Sequence, residues 1–142
     1  MNATYLLDTN IISEFSKQEP NQNVLALYTT RKNLCAISAI TWQELKRGIS
    51  RLPEGKKKNT LESFILNLES NIQIVPYDKF ASGLCGELQA NAEKEGTILP
   101  YYDSQIAATA ISNGLVLVTH NTKDFSYAKE KAYLRVEDWF EA

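Results

Sequence analysis

Strand-like and helix-like hydrophobic patterns take turns along this chain, and that alternation restricts the fold more than any single residue does. Tyr5-Leu6-Leu7 is a short apolar run that stops at Asp8, where Thr9 or Asn10 is placed to cap a helix carrying Ile11, Ile12 and Phe15. Pro20 and Asn21 end that helix, Val24, Leu25, Leu27 and Tyr28 predict another short one, and Leu34 to Ala39 predicts a second strand. Helix resumes from about Thr41, with Trp42, Leu45 and Ile49 on one face, and stops near Pro53-Glu54-Gly55. Leu61, Phe64, Ile65 and Leu68 mark an amphipathic helix, Ile72 to Pro76 a third strand, and Asp78 to about Glu95 a long helix closed by Gly96. Beyond Pro100, Ile106, Ala107, Ala110 and Ile111 share a helical face that Gly114 ends. Leu115 to Val118 is then apolar throughout, as a strand buried on both faces of a parallel sheet must be. A short strand near Tyr133 to Val136 and an amphipathic Trp139-Phe140 complete the chain. Strand followed by helix throughout predicts an α/β fold, a three-layer α/β/α sandwich on a mostly parallel sheet that binds ligands outside the carboxyl ends of its strands.

At 142 residues, 44% hydrophobic and 23% charged, the chain reads as one domain, residues 1–142, able to bury a core without staples. No apolar run approaches the roughly 18 residues of a membrane span, and the first residues lack a basic segment followed by a long apolar one. The expectation is a cytoplasmic protein with no membrane partner. Cys35 and Cys85 stand 50 residues apart in apolar surroundings and read as buried free thiols. With His120 the only histidine, a metal here has to be held by oxygen.

Aspartate is scarce, five against twelve glutamates, so the positions of the aspartates carry weight. Asp8 follows the first strand, Asp103 opens a helix, Asp124 lies just beyond Leu115 to Thr119, and Glu44 falls in the first turn of the helix after the second strand. In a parallel sheet these places lie on one edge, and four carboxylates converging there repel strongly unless a hard cation joins them. Each also has a structural duty available: a turn or cap for Asp8, the Thr41-Trp42-Gln43-Glu44 capping box for Glu44, the helix dipole for Asp103, a turn for Asp124. Mg²⁺ or Mn²⁺ suits an all-oxygen site of this kind, and phosphodiester hydrolysis suits such a cation. Thr9, Asn10, Ser104 and Asn121 are placed to orient the carboxylates by hydrogen bonds.

The net charge of −2 is unevenly spread: Lys46, Arg47, Arg51, Lys56, Lys57 and Lys58 meet only Glu54, a local +5 that leaves −7 for the rest. Such a stretch is either a solvated face or a phosphate-contacting strip.

Four segments in order resemble the motifs of the PIN-domain ribonucleases, most closely the VapC toxins of type II toxin-antitoxin pairs. They are Leu6 to Glu14, Ile37 to Gly48, Asp103 to Ala110 and Leu117 to Phe125, and the resemblance spans nearly the whole chain. It implies a PIN-like fold and an acidic quartet of Asp8, Glu44, Asp103 and Asp124, in which Asp8 and Asp103 ligate the metal directly and Glu44 and Asp124 act through water. It further implies cleavage of structured RNA, often transfer RNA, a homodimer, and a VapB-like antitoxin whose C-terminal segment blocks the site in a hetero-oligomer. His120 departs from the Arg or Asn usual before that Asn, leaving either a packed or solvated ring or an RNA contact. A housekeeping nuclease without an antitoxin, and a catalytically silent binding module, are the competing expectations. Phosphotransfer through Asp8 calls for an acid two residues on, where Asn10 stands. A dinucleotide fold calls for a Gly-x-Gly-x-x-Gly that does not follow the first strand.

Overall fold

The computed structural model describes residues 2–141. Its strands are β1 (Tyr5–Leu7), β2 (Cys35–Ser38), β3 (Gln73–Val75), β4 (Val116–Val118) and β5 (Val136–Glu137). Its α-helices are α1 (Thr9–Phe15), α2 (Gln22–Arg31), α3 (Ala39–Ser50), α4 (Lys56–Asn71), α5 (Lys79–Lys94), α6 (Tyr101–Ser112) and α7 (Ser126–Lys131). The sheet runs β3-β2-β1-β4-β5 with every pairing parallel. The chain walks outward from β1 through β2 to β3, then returns to the other side of β1 for β4. Strand order therefore reverses between β1 and β4, and a crevice opens there at the carboxyl edge.

Pleating sorts the strand residues between two cores. Leu6 and Leu117 face a cluster with Leu88, Ile106, Ala107 and Phe125 from the α5, α6 and α7 layer. Leu7 and Val118 face Ile11, Ile12, Val24, Ile65 and Trp139 from the opposite layer. With both faces covered, Leu6, Leu7, Leu117 and Val118 are fully buried, as the apolar run predicts. Gly96 and Gly114, at φ +81° and +67°, end α5 and α6 as expected. After α6 the Leu115 amide donates to Ala110 and the Gly114 amide to Ile111, a paired closure that needs the left-handed glycine. Both cysteines are buried and free. Among the described residues no helix is long and apolar enough to cross a membrane.

Several boundaries differ from the expectation. The cap of α1 is Asp8, whose carboxylate accepts from the Thr9 amide, so neither Thr9 nor Asn10 serves there. The second strand ends at Ser38, which caps α3 by accepting from the Thr41 amide at 3.0 Å, so the helix begins two residues earlier than Thr41. The last strand is Val136–Glu137, because Tyr133 at φ +59° is still turning the chain away from α7.

Candidate active site at the carboxyl edge of the sheet

Asp8 leaves the central strand directly into α1, which fixes its carboxylate at the crevice with only 5% exposure. Three neutral donors meet it. The Thr9 amide reaches Oδ1 at 2.8 Å, while the Asn10 amide and the Thr119 hydroxyl reach Oδ2 at 3.0 and 2.8 Å. Burial raises the Asp8 carboxyl above its ordinary value, and these hydrogen bonds pull against that rise. Asn10 also donates to Thr119 at 3.2 Å and accepts from the His120 amide at 3.0 Å, which ties the ends of β1 and β4 together.

Glu44 arrives from α3. Because Ser38 caps that helix, Glu44 lies in its second turn and has no capping duty, contrary to the capping-box reading. Its Oε1 instead accepts from the Thr9 hydroxyl at 2.8 Å, across the gap between α1 and α3. Burial raises Glu44, as does the charge of Asp8, while the Thr9 bond and Arg47 oppose the rise. Arg47 is thus the cation of the basic stretch that Glu44 feels.

Asp103 sits in the first turn of α6, half-buried, in a small cleft shared with Pro100, Asp124 and Phe125. Its carboxyl is pushed up to about 6, first by burial and then by the charges of Asp8, Asp124 and Glu44. Asp124 lies on the short 3₁₀ turn Thr122–Phe125 and is the exposed member of the four. The other three candidates are therefore all within electrostatic reach of Asp103, which stands at the focus.

The four candidate orienting residues divide. Thr9 and Asn10 bond carboxylates directly. Ser104 does not: its hydroxyl donates to the Tyr101 carbonyl at 2.8 Å and accepts from Gln89 at 3.0 Å, pinning the start of α6 to α5. The Asn121 side chain bonds none of the four either; the residue's backbone amide donates to Thr119 Oγ1 at 3.0 Å and its backbone carbonyl accepts from the Asp124 amide at 3.1 Å. Residue-type reasoning missed Thr119, fully buried at the end of β4. A hydroxyl closing an apolar strand beside a strand-end aspartate is the signal that finds it.

The basic stretch is not one surface. Arg47, three residues beyond Glu44 on its face of α3, and Arg51, which caps the end of that helix, are both exposed. Lys56 and Lys57 are exposed in the first turn of α4. Lys58 is tied to Glu54 at 2.9 Å with its side chain only 16% exposed, and Lys46 lies 5.7 Å above the Trp42 ring.

Among the described residues no three His, Cys, Asp or Glu side chains cluster tightly enough to hold an ion unaided. The donor set nevertheless suits a hard divalent cation: one carboxylate fixed by three hydrogen bonds, and one carboxyl raised to about 6 by burial and by the charges of three other acids. Mg²⁺ is commonly held by one or two carboxylates, the rest of its octahedron coming from water and substrate phosphate.

A family model for the PIN domain matches residues 5–131. The chain is similar to the VapC ribonuclease Y4jK of Sinorhizobium fredii, 36% identical over 87% of this chain and 91% of that protein. It is also similar to the tRNA(fMet)-specific endonuclease VapC of Shigella flexneri, 32% identical over 95% and 97%. The solved structure of VapBC2 from Rickettsia felis bound to a promoter DNA fragment matches with a TM-score of 0.81 at 30% identity, covering 96% of this chain and 98% of that one. The chain belongs to the PIN-domain family, and within it to the VapC ribonucleases.

Proposed function

We propose that the protein is a Mg²⁺- or Mn²⁺-dependent endoribonuclease, the toxin of a type II toxin-antitoxin pair, hydrolysing phosphodiester bonds of structured RNA such as transfer RNA. The observation that carries this reading is that carboxylates from three other segments act on Asp103, whose carboxyl is raised to about 6 by burial and by the charges of Asp8, Asp124 and Glu44. Asp8 and Asp103 hold the cation, and Glu44 and Asp124 reach it through water. A cation so held lowers the pKa of a bound water and neutralises charge on the phosphoryl group. Thr9, Asn10 and Thr119 keep Asp8 and Glu44 oriented, Arg47 and Arg51 meet RNA phosphates beside the acids, and Lys56 and Lys57 meet them farther out, Lys58 being engaged by Glu54.

The 142 residues act as one cytoplasmic PIN domain, paired in a homodimer and neutralised by a VapB-like antitoxin in a hetero-oligomer. The names of the relatives and the VapBC complex among the solved structures support the pairing with an antitoxin. Its test is incubation of the antitoxin-free protein with total transfer RNA in Mg²⁺ or Mn²⁺. Discrete fragments that vanish with EDTA are expected. Intact RNA across all conditions, with the fold confirmed by circular dichroism, overturns it.

A further inference from the structure

His120 follows Thr119 at the end of β4, and its amide bonds Asn10, which in turn bonds Asp8. The ring is thus attached one residue from the network that holds the buried carboxylate. It is fixed on two sides. Nδ1 lies 3.1 Å from Asp138 Oδ2, and the ring stacks on Phe140 with centroids 4.0 Å apart at 28°. Asp138 also accepts from the Phe140 amide at 3.0 Å, so the carboxylate and the platform form one unit supplied by the end of the chain.

A carboxylate only accepts, so the Nδ1 proton points at Asp138 and Nε2 is the free nitrogen. Among the described residues Nε2 finds no hydrogen-bond partner, although the side chain is 49% exposed. A merely solvated ring has no need of both anchors. Anchoring a ring ahead of contact removes the ordering cost that binding otherwise carries. The charged groups around it are Asp138, Glu14 of α1, which is paired with Lys17, and the acids beyond Asn10, so acids predominate. A polyanion approaching that rim needs a polar group that does not add to the repulsion.

We propose that His120, held by Asp138 and Phe140, is an RNA-binding residue whose Nε2 contacts the sugar-phosphate backbone beside the acidic site. This contact rests on the ribonuclease reading and extends it to one more residue, at the position where this chain departs from the family's Arg or Asn.

The test compares His120→Asn, which keeps a polar atom near Nδ1 but loses Nε2, with His120→Gln, which places one near Nε2. Cleavage of total transfer RNA in Mg²⁺ gives KM and kcat. Binding of fluorescein-labelled total transfer RNA, measured in an Asp103→Asn background, gives affinity without turnover. His120→Asn is expected to raise KM and weaken binding about ten-fold, equal to ~1.4 kcal/mol, with the loss on KM rather than kcat. His120→Gln is expected to recover most of it. Unchanged KM and affinity in His120→Asn overturn the proposal, as does a loss confined to kcat, or weaker capture of a co-expressed antitoxin with RNA affinity intact. Failure of the wild type to cleave any RNA, with binding still about ten-fold weaker in His120→Asn, rejects the nuclease reading and keeps the contact.

Discussion

Asp8 and Asp103 lie within electrostatic reach of each other and are held in opposite ways. Asp8, 5% exposed at the end of the central strand, is met by three neutral donors at 2.8 to 3.0 Å. Asp103, on the first turn of α6, is surrounded by Asp8, Asp124 and Glu44, and its carboxyl rises to about 6. One side of the site is finished by the protein. The other is left electrostatically unbalanced, and under the proposed function a cation would balance it.

Removing either carboxylate has the largest expected effect. Asp8→Asn and Asp103→Asn should each lower kcat/KM for RNA by about 10²- to 10³-fold, the scale of losing one preorganised electrostatic contact. The two should diverge in stability. A carboxyl whose folded pKa lies above its ordinary 3.8 destabilises the fold when ionised, so its contribution improves as pH falls from about 6 toward about 4. Asp103→Asn should therefore stabilise the metal-free protein at pH 7.5 by about 1 to 2 kcal/mol, allowing for the solvent that reaches a half-buried group, and flatten that stretch of the pH profile. Asp8→Asn should give no such gain, since the amide loses an acceptor that three donors use. Denaturant unfolding across that pH range checks both.

Next comes Thr119→Val, which keeps the shape and removes the hydroxyl that holds Asp8 to β4. Activity should fall about 10- to 100-fold, with part of it recovered at higher Mn²⁺. Equal activity at all Mn²⁺ concentrations would show that the Asp8 side is not finished by that contact. The smallest effect belongs to the lysines. Replacing Lys56, Lys57 and Lys58 by Gln should weaken RNA binding severalfold and lower the log-log salt slope by about two rather than three, because Lys58 is already tied to Glu54. An unchanged slope would make that turn of α4 a solvated face.

The two sides also differ in how plainly the sequence announces them. The strand ends, and hence the places of Asp8 and Asp124, follow from Tyr5 to Leu7 and Leu115 to Val118, because strands buried on both faces must be apolar throughout. Asp103 follows from the helix start after Pro100. The supporting hydrogen bonds were less legible, since several residues of one type compete for each. Ser38 rather than Thr41 caps α3, and that choice alone frees Glu44 for the site. Ser104, adjacent to Asp103 in sequence, turns to α5, whereas Thr119, 111 residues from Asp8, makes the bond that counts. Glu14 is another case. Its carboxylate is almost fully buried, accepts from the Asn21 amide at 2.7 Å and pairs with Lys17 at 2.8 Å, sealing the turn between α1 and α2. Nothing in its local pattern separates it from a surface acid.

The most direct measurement is a calorimetric titration of Mn²⁺ into the antitoxin-free protein at pH 7.5, repeated on Asp8→Asn and Asp103→Asn. If Asp8 and Asp103 together hold the cation, the wild type binds it and each substitution removes that binding with the fold intact. Binding of equal strength in wild type and Asp103→Asn would contradict the account, because the unbalanced half of the site would then be doing nothing for the metal.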